Sequence, residues 1–210
     1  MNFLLRGIHL ILINTVLIWL VINTIINAYL MTLPRLELNI GKFPEEFQIS
    51  QKNRIDIQKK YECAAFSTAY VLRHFGIEAD GFEIYSNFPS KMKTGYVYPK
   101  GIRTYLKQKG FKTIYYKGNI NTLKKQISKG NPVIVFIKVN KKSSDLHFVP
   151  VIGYDKDYLY IAESSEYLVN CKDDSTIYNR KVSIDEFKKL WNIKNLRIPF
   201  YSNTYITIGK

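Results

Sequence analysis

Gln58-Lys-Lys-Tyr-Glu-Cys63-Ala-Ala-Phe66 leads into an apolar stretch that stops at Gly76, and Leu146-His147-Phe-Val-Pro-Val-Ile-Gly-Tyr154 carries a histidine 84 positions after the cysteine. From Cys63 to Phe75 the apolar residues Phe66, Ala69, Tyr70, Val71, Leu72 and Phe75 cover much of a helix circumference. The spacing predicts a largely buried helix, with Gly76 as its C-terminal stop. The second stretch is β-branched and aromatic, and predicts a strand with His147 at its start. A thiol attacks as thiolate, and a helix N-terminus and a neighbouring imidazole are two common ways of favouring that form. Cys63 and His147 are thus a candidate nucleophile and base.

Other elements are legible around this pair. Gly101 to Lys109 and Asn121 to Lys129 read as short surface helices, each ended by a glycine. Lys112 to Tyr116, Pro132 to Val139, Tyr158 to Ala162 and Asn203 to Ile208 read as strands. Val182 to Trp191 reads as a helix with Ser183 as N-cap and Glu186 completing a capping box. Helices first and strands later predict an α+β domain over residues 55–210 with an antiparallel sheet, not a βαβ array.

With these residues in hand, the chain is similar to the peptidase C39-like branch of the papain-like cysteine peptidases. The likeness rests on Gln58, Cys63-Ala-Ala-Phe through Gly76, His147-Phe-Val-Pro-Val-Ile-Gly-Tyr-Asp155, and Tyr160-Ile-Ala-Glu163-Ser, and covers roughly residues 58–208. It implies a papain-like fold, with Cys63 as nucleophile, His147 as base, Glu163 as the acid that orients the imidazole, and Gln58 as the side chain of the oxyanion hole. It also implies a peptide substrate and no metal or organic cofactor. The chain departs from the family pattern in three places: Ala64 stands where glycine is usual, Glu163 where aspartate is usual, and Gln58 lies one residue closer to the cysteine.

Hairpin geometry supports Glu163 separately. A turn at Asp155-Lys-Asp157 pairs His147 with Ser165, and alternation then puts Glu163 on the histidine's side and Glu166 on the other. A slip of one residue would reverse this. Asp155 and Asp157 read as turn residues. His9 and His74 suit structural roles, while Tyr61, Tyr96 and Tyr98 are candidates to line a substrate groove.

The N-terminus is of another kind. From Gly7 to Met31 run 25 residues without Asp, Glu, Lys or Arg, enough to cross a hydrocarbon core about 30 Å thick. Residues 1–34 are therefore expected to be a transmembrane anchor and residues 35–54 a juxtamembrane linker. A cleaved signal peptide is the competing reading, although Ile26-Asn-Ala-Tyr-Leu-Met-Thr offers no small-x-small cleavage site. The charges flanking the segment lean towards an N-terminus inside the cell and an extracytoplasmic domain.

The net charge of +14, from 31 Lys and Arg against 17 Asp and Glu, suits anionic lipid or acidic wall polymers. The lysines are scattered and form no basic stripe with interleaved aromatics, so nucleic acid is not an expected partner. Two cysteines exclude a disulfide scaffold, leaving a single Cys63–Cys171 bridge as the inert alternative to a reactive thiol. There is no P-loop, so a role in transporter-linked leader processing is not carried over. Two further readings remain at this point: a papain-like module that binds without turnover, and a membrane-associated interaction or immunity-type protein.

Overall fold

In the computed structural model, residues 2–31, 33–38, 41–172, 177–195, 198 and 200–210 are described. The helices come first: α1 (Asn2–Met31), then α2 (Cys63–His74), α3 (Gly81–Ser86) and α4 (Pro99–Gln108). Strands follow, with β3 (Lys112–Lys117), β4 (Val133–Lys138), β5 (Leu146–Tyr154), β6 (Tyr158–Ile161), β7 (Arg180–Ser183) and β8 (Thr204–Gly209), while α5 (Ile120–Ile127) and α6 (Ile184–Trp191) cross between them. Two short strands, β1 (Arg35–Leu36) and β2 (Phe47–Gln48), precede α2.

One sheet joins all the strands in the order β1-β3-β8-β4-β5-β6-β7, with β2 on β5. Pairing is antiparallel except between β1 and β3. The last strand, β8, enters between β3 and β4, joining the middle of the chain to its end. Alternation along β4 divides the interior. Ile134 and Phe136 pack with Ala65, Leu72, Ile102 and Leu106. Val133, Val135 and Ile137 pack with Leu123, Ile127, Phe187 and Trp191 from α5 and α6. Burial on both faces explains why β4 reads as an unbroken apolar run.

Residues 35–54 lie along the domain. β1 pairs with β3, β2 pairs with β5, and Ile49 is buried. The Glu37 carboxylate accepts from the Tyr205 hydroxyl and the Gln126 amide. A Cβ on Gly153 would stand 2.9 Å from the Phe47 carbonyl oxygen, so a side chain there would push β2 away. The composition of this segment, read as a linker, hides two strands of two residues each.

Two elements differ from the sequence expectation. Helix α6 starts at Ile184, because Arg180–Ser183 pairs with β6 as a strand. Ser183 still caps it, its Oγ accepting from the Glu186 N–H at 3.3 Å. Helix α3 was not anticipated; Asp80 caps it by accepting from the Phe82 and Glu83 N–H groups, both at 2.9 Å.

Within α1, residues Leu5–Ile26 are long and apolar enough to cross a membrane, and none of them is buried against the domain. His9, Thr15, Asn23 and Thr24 each hydrogen-bond a carbonyl one turn back in their own helix, which pairs these polar groups within an otherwise apolar helix. The Asn27 side chain lies outside the described residues.

Candidate active site

Cys63 is the first residue of α2 and is 7% exposed. The N-cap residue, Glu62, makes no side-chain cap bond; its carboxylate turns back to the Lys60 N–H at 2.6 Å. Ser67, one turn into the helix, donates to the Phe148 carbonyl at 3.0 Å. That bond ties the helix headed by Cys63 to the strand that carries His147.

His147 is buried, and its Nε2 lies 2.6 Å from Glu163 Oε1. Glu163 thus engages one ring nitrogen, while the Cys63 sulfur stands near enough to the imidazole to favour its charged form. Burial alone would pull the imidazole pKa down. The Glu163 carboxylate and the Cys63 sulfur outweigh it, so the His147 pKa is raised from its usual value. Burial pushes Glu163 the other way, but His147, Arg180 and the Ser165 N–H more than offset it, and the carboxyl is held below its usual range. The arrangement favours an imidazolium beside the Glu163 carboxylate.

The carboxylate is fully enclosed and fully partnered. Oε1 also accepts from the Ser165 N–H at 2.8 Å, and Oε2 accepts from Arg180 Nη1 at 2.7 Å. Asn179 clamps the backbone of Glu163, accepting from its N–H at 2.7 Å and donating to its carbonyl at 2.8 Å. Arg180 and Asn179 were missed from the sequence. The available signal was the acid itself, since a buried carboxylate needs partners, and β7 brings Arg180 opposite Ile161.

Register decides whether Glu163 meets His147. Near the turn the pairs are Tyr154 with Leu159 and Gly153 with Tyr160, one residue out of step with a turn centred on Lys156. Continued unchanged, that register would put Glu163 on the face away from His147. A bulge between Val151 and Gly153 absorbs the extra residue, and beyond it Val151 pairs with Ile161 and Ala162 N–H bonds the Pro150 carbonyl. The assumed turn was off by one residue, and the bulge restored the assumed pairing.

Gln58 sits in the approach to α2. Its backbone N–H donates to the Ser164 carbonyl at 2.8 Å, and its Oε1 accepts from the Ser164 hydroxyl at 2.8 Å. Its Nε2 donates to the Lys60 carbonyl at 2.8 Å. Gln58 thus braces the Cys63 and Glu163 segments against one another, and it borders a shallow depression with Lys59, Lys60, Ser165, Glu166 and Tyr167.

A cleft of about 430 Å³ opens at Cys63, walled by Tyr96, Tyr98, Phe136, Leu146, Phe148 and Tyr201, with Asp145 among its few polar residues. Tyr96 and Tyr98 fall where the groove was expected, while Tyr61 supports Tyr96 through a ring contact at 5.0 Å. His74 lies against Phe75 and bonds Gly130 and Asn131, away from the thiol. Both cysteines are free.

A cysteine heading a buried helix, an imidazole at the start of a strand and an antiparallel sheet between them define the papain-like cysteine peptidase fold. The chain belongs to the Peptidase_C39 like family, whose sequence model matches residues 41–195. Among solved structures, the peptidase domain of the Streptococcus bi-functional ABC transporter ComA aligns at 18% identity and a TM-score of 0.55, over 73% of this chain and 95% of that one. A Bacillus anthracis protein described as C39-like aligns at 18% identity and a TM-score of 0.57, over 80% and 98%. A double glycine motif protease from an AMS/PCAT transporter, solved with its leader peptide, aligns at 15% identity and a TM-score of 0.51, over 77% and 96%. At these identities the likeness concerns the fold. A search of curated proteins found no match.

Proposed function

We propose that this protein is a membrane-anchored cysteine peptidase, with residues 1–34 as the anchor and the peptidase domain outside the cytoplasm. The observation that carries the reading is the convergence of Cys63, His147 and Glu163 from a helix, a strand and a hairpin end onto one imidazole. Glu163 on Nε2 leaves Nδ1 as the nitrogen for the thiol. The imidazolium holds the thiolate, which attacks the substrate carbonyl; the Cys63 N–H and the second Nε2 proton of Gln58 stabilise the oxyanion. The Nδ1 proton then passes to the leaving amine, and His147 activates a water that releases the acyl group from sulfur. Glu163 fixes the tautomer throughout. The substrate is a peptide or amide laid along the aromatic cleft.

Two observations favour a second reading, a binding module without turnover: the Gln58 amide already donates to Lys60, and Ala64 replaces the glycine usual after the nucleophile. A pool of fluorogenic peptides offered to full-length protein in detergent separates the two. Cleavage that disappears in Cys63→Ala and His147→Ala supports the peptidase, and peptide binding that survives in all forms without cleavage supports the module.

A further inference from the structure

Papain-like sites as outlined above need a thiolate and an imidazolium, which together carry no net charge. Placing an ionised carboxylate on the far side of the imidazole adds a negative charge to a closed environment, since Glu163 is 0% exposed and His147 3% exposed. Uncompensated, it would oppose loss of the thiol proton, because that step would leave a buried net negative charge. The side chain of Arg180 is 7% exposed and donates to the carboxylate oxygen that His147 does not use. We propose that Arg180 is a positioning residue for catalysis, neutralising the site as a thiolate–imidazolium–carboxylate–guanidinium set and so permitting Glu163 to stand as orienter. The proposal rests on the catalytic reading of Cys63 and His147.

The surroundings contain few other charges. From β5 and the hairpin, the carboxylate faces His147 and the Ser165 N–H; from β7 it faces Arg180. Around the thiol stand His147, Tyr85 of α3 and Tyr96 of the following loop, with Asp145 facing Tyr96 and Glu62 facing Tyr85. Both tyrosines have their pKa raised, first by burial, so they stay neutral across the range in which imidazoles and thiols titrate. Arg180 is the only cation besides His147 bonded to Glu163 among the described residues.

The sign of the effect follows. With Arg180 present, loss of the thiol proton takes the set from one positive charge to neutrality; without it, the same step goes from neutrality to one negative charge. Removing Arg180 therefore moves thiolate formation to higher pH. Removing Glu163 alone leaves the guanidinium unpaired and lowers the pH at which His147 gives up its proton. Removing both returns the set to a neutral pair beside a neutral amide.

The test uses iodoacetamide alkylation of the full chain in detergent, followed residue by residue by mass spectrometry across pH, with Cys171 as the internal reference. In wild type, Cys63 is expected to be alkylated at acidic pH where Cys171 is not. In Arg180→Gln the half-maximal rate should move up by about one pH unit. In Glu163→Gln it should move the other way, to lower pH, and in the Glu163→Gln/Arg180→Gln double variant it should return towards wild type. Arg180→Lys, which keeps the charge, should stay nearer wild type than Arg180→Gln. A double variant no closer to wild type than Arg180→Gln, or an unmoved profile in Arg180→Gln, would overturn the proposal. If Cys63 in wild type merely follows Cys171, it is the catalytic reading itself that fails. The double variant has no unpaired buried charge, so it keeps the test open if Arg180→Gln does not fold.

Discussion

Two sides of the Cys63–His147 pair are built on opposite principles. On the cleft side, the walls are aromatic and aliphatic, and the buried Tyr201 hydroxyl has no hydrogen-bond partner among the described residues. On the Glu163 side, both carboxylate oxygens and both backbone groups of the residue are engaged. Apolar walls attract through area and tolerate reshaping, whereas a closed polar network depends on every member. Under the proposed function, the first side can change its ligand without touching the chemistry. The second would hold the chemistry and resist change.

The strongest way to break this contrast is at the pair itself. Cys63→Ala or His147→Ala should reduce peptide cleavage by about 10³-fold or more while leaving the fold intact, as circular dichroism would show. Loss of less than tenfold would move the chemistry elsewhere.

The polar side should respond next. Glu163→Ala strands the buried Arg180 guanidinium, so it should cost about 3 to 5 kcal/mol in denaturant unfolding. Glu163→Gln, which keeps the volume and a hydrogen-bonding amide, should cost less stability and lower kcat more than it changes KM. Equal stability losses in the two variants would mean that the Arg180 pairing is not what holds this side together.

Protonation sharpens the same point. His147 has a folded pKa above its usual 6.5, so its contribution to stability is full below 6.5 and is lost as pH rises from there through the folded value. Glu163 has a folded pKa below its usual 4.5, so its contribution is full above 4.5 and is lost as pH falls from there. Together they place the greatest stabilisation by this pair between pH 4.5 and 6.5. Thermal denaturation across pH should show that plateau in wild type, and a flatter profile in a His147→Ala/Glu163→Gln variant.

On the cleft side the effects should be smaller and of another kind. Tyr98→Ala removes a wall residue whose side chain makes no cap bond at the start of α4, and should raise KM by roughly tenfold with kcat little altered. A collapse of kcat instead would merge the two sides. Cys171→Ser, at a half-buried free thiol, should change stability by no more than about 0.5 kcal/mol and leave cleavage unchanged.

Much of this could be read locally. The α2 helix, the strands β3 to β6 and the terminal strand emerged from periodicity because each is long enough to bury a recognisable face. The strands β1 and β2 did not, since two residues carry no period, and β7 did not, since Arg180–Ser183 runs straight into the serine that caps α6. The positions of Cys63 and His147 were legible because helix head and strand start are local features. Arg180 was not, because its role exists only where β7 lies beside β6 and brings a cation to an enclosed acid. Gln58 was legible as a residue but not in its bonding, which depends on Ser164 meeting it from 106 positions away.

By itself, the order of residues determined an apolar N-terminal helix, an α+β domain and the identity of a cysteine–histidine pair, because these follow from side-chain period, charge and local chemistry. Tertiary structure alone decided that β8 enters the middle of the sheet, that a bulge in β5 turns Glu163 towards His147, and that Arg180 pairs with the Glu163 carboxylate. The reason is physical: a strand's period states which residues share a face, but only pairing with its neighbours fixes the register, and a buried charge is tolerated only where a distant segment supplies its partner.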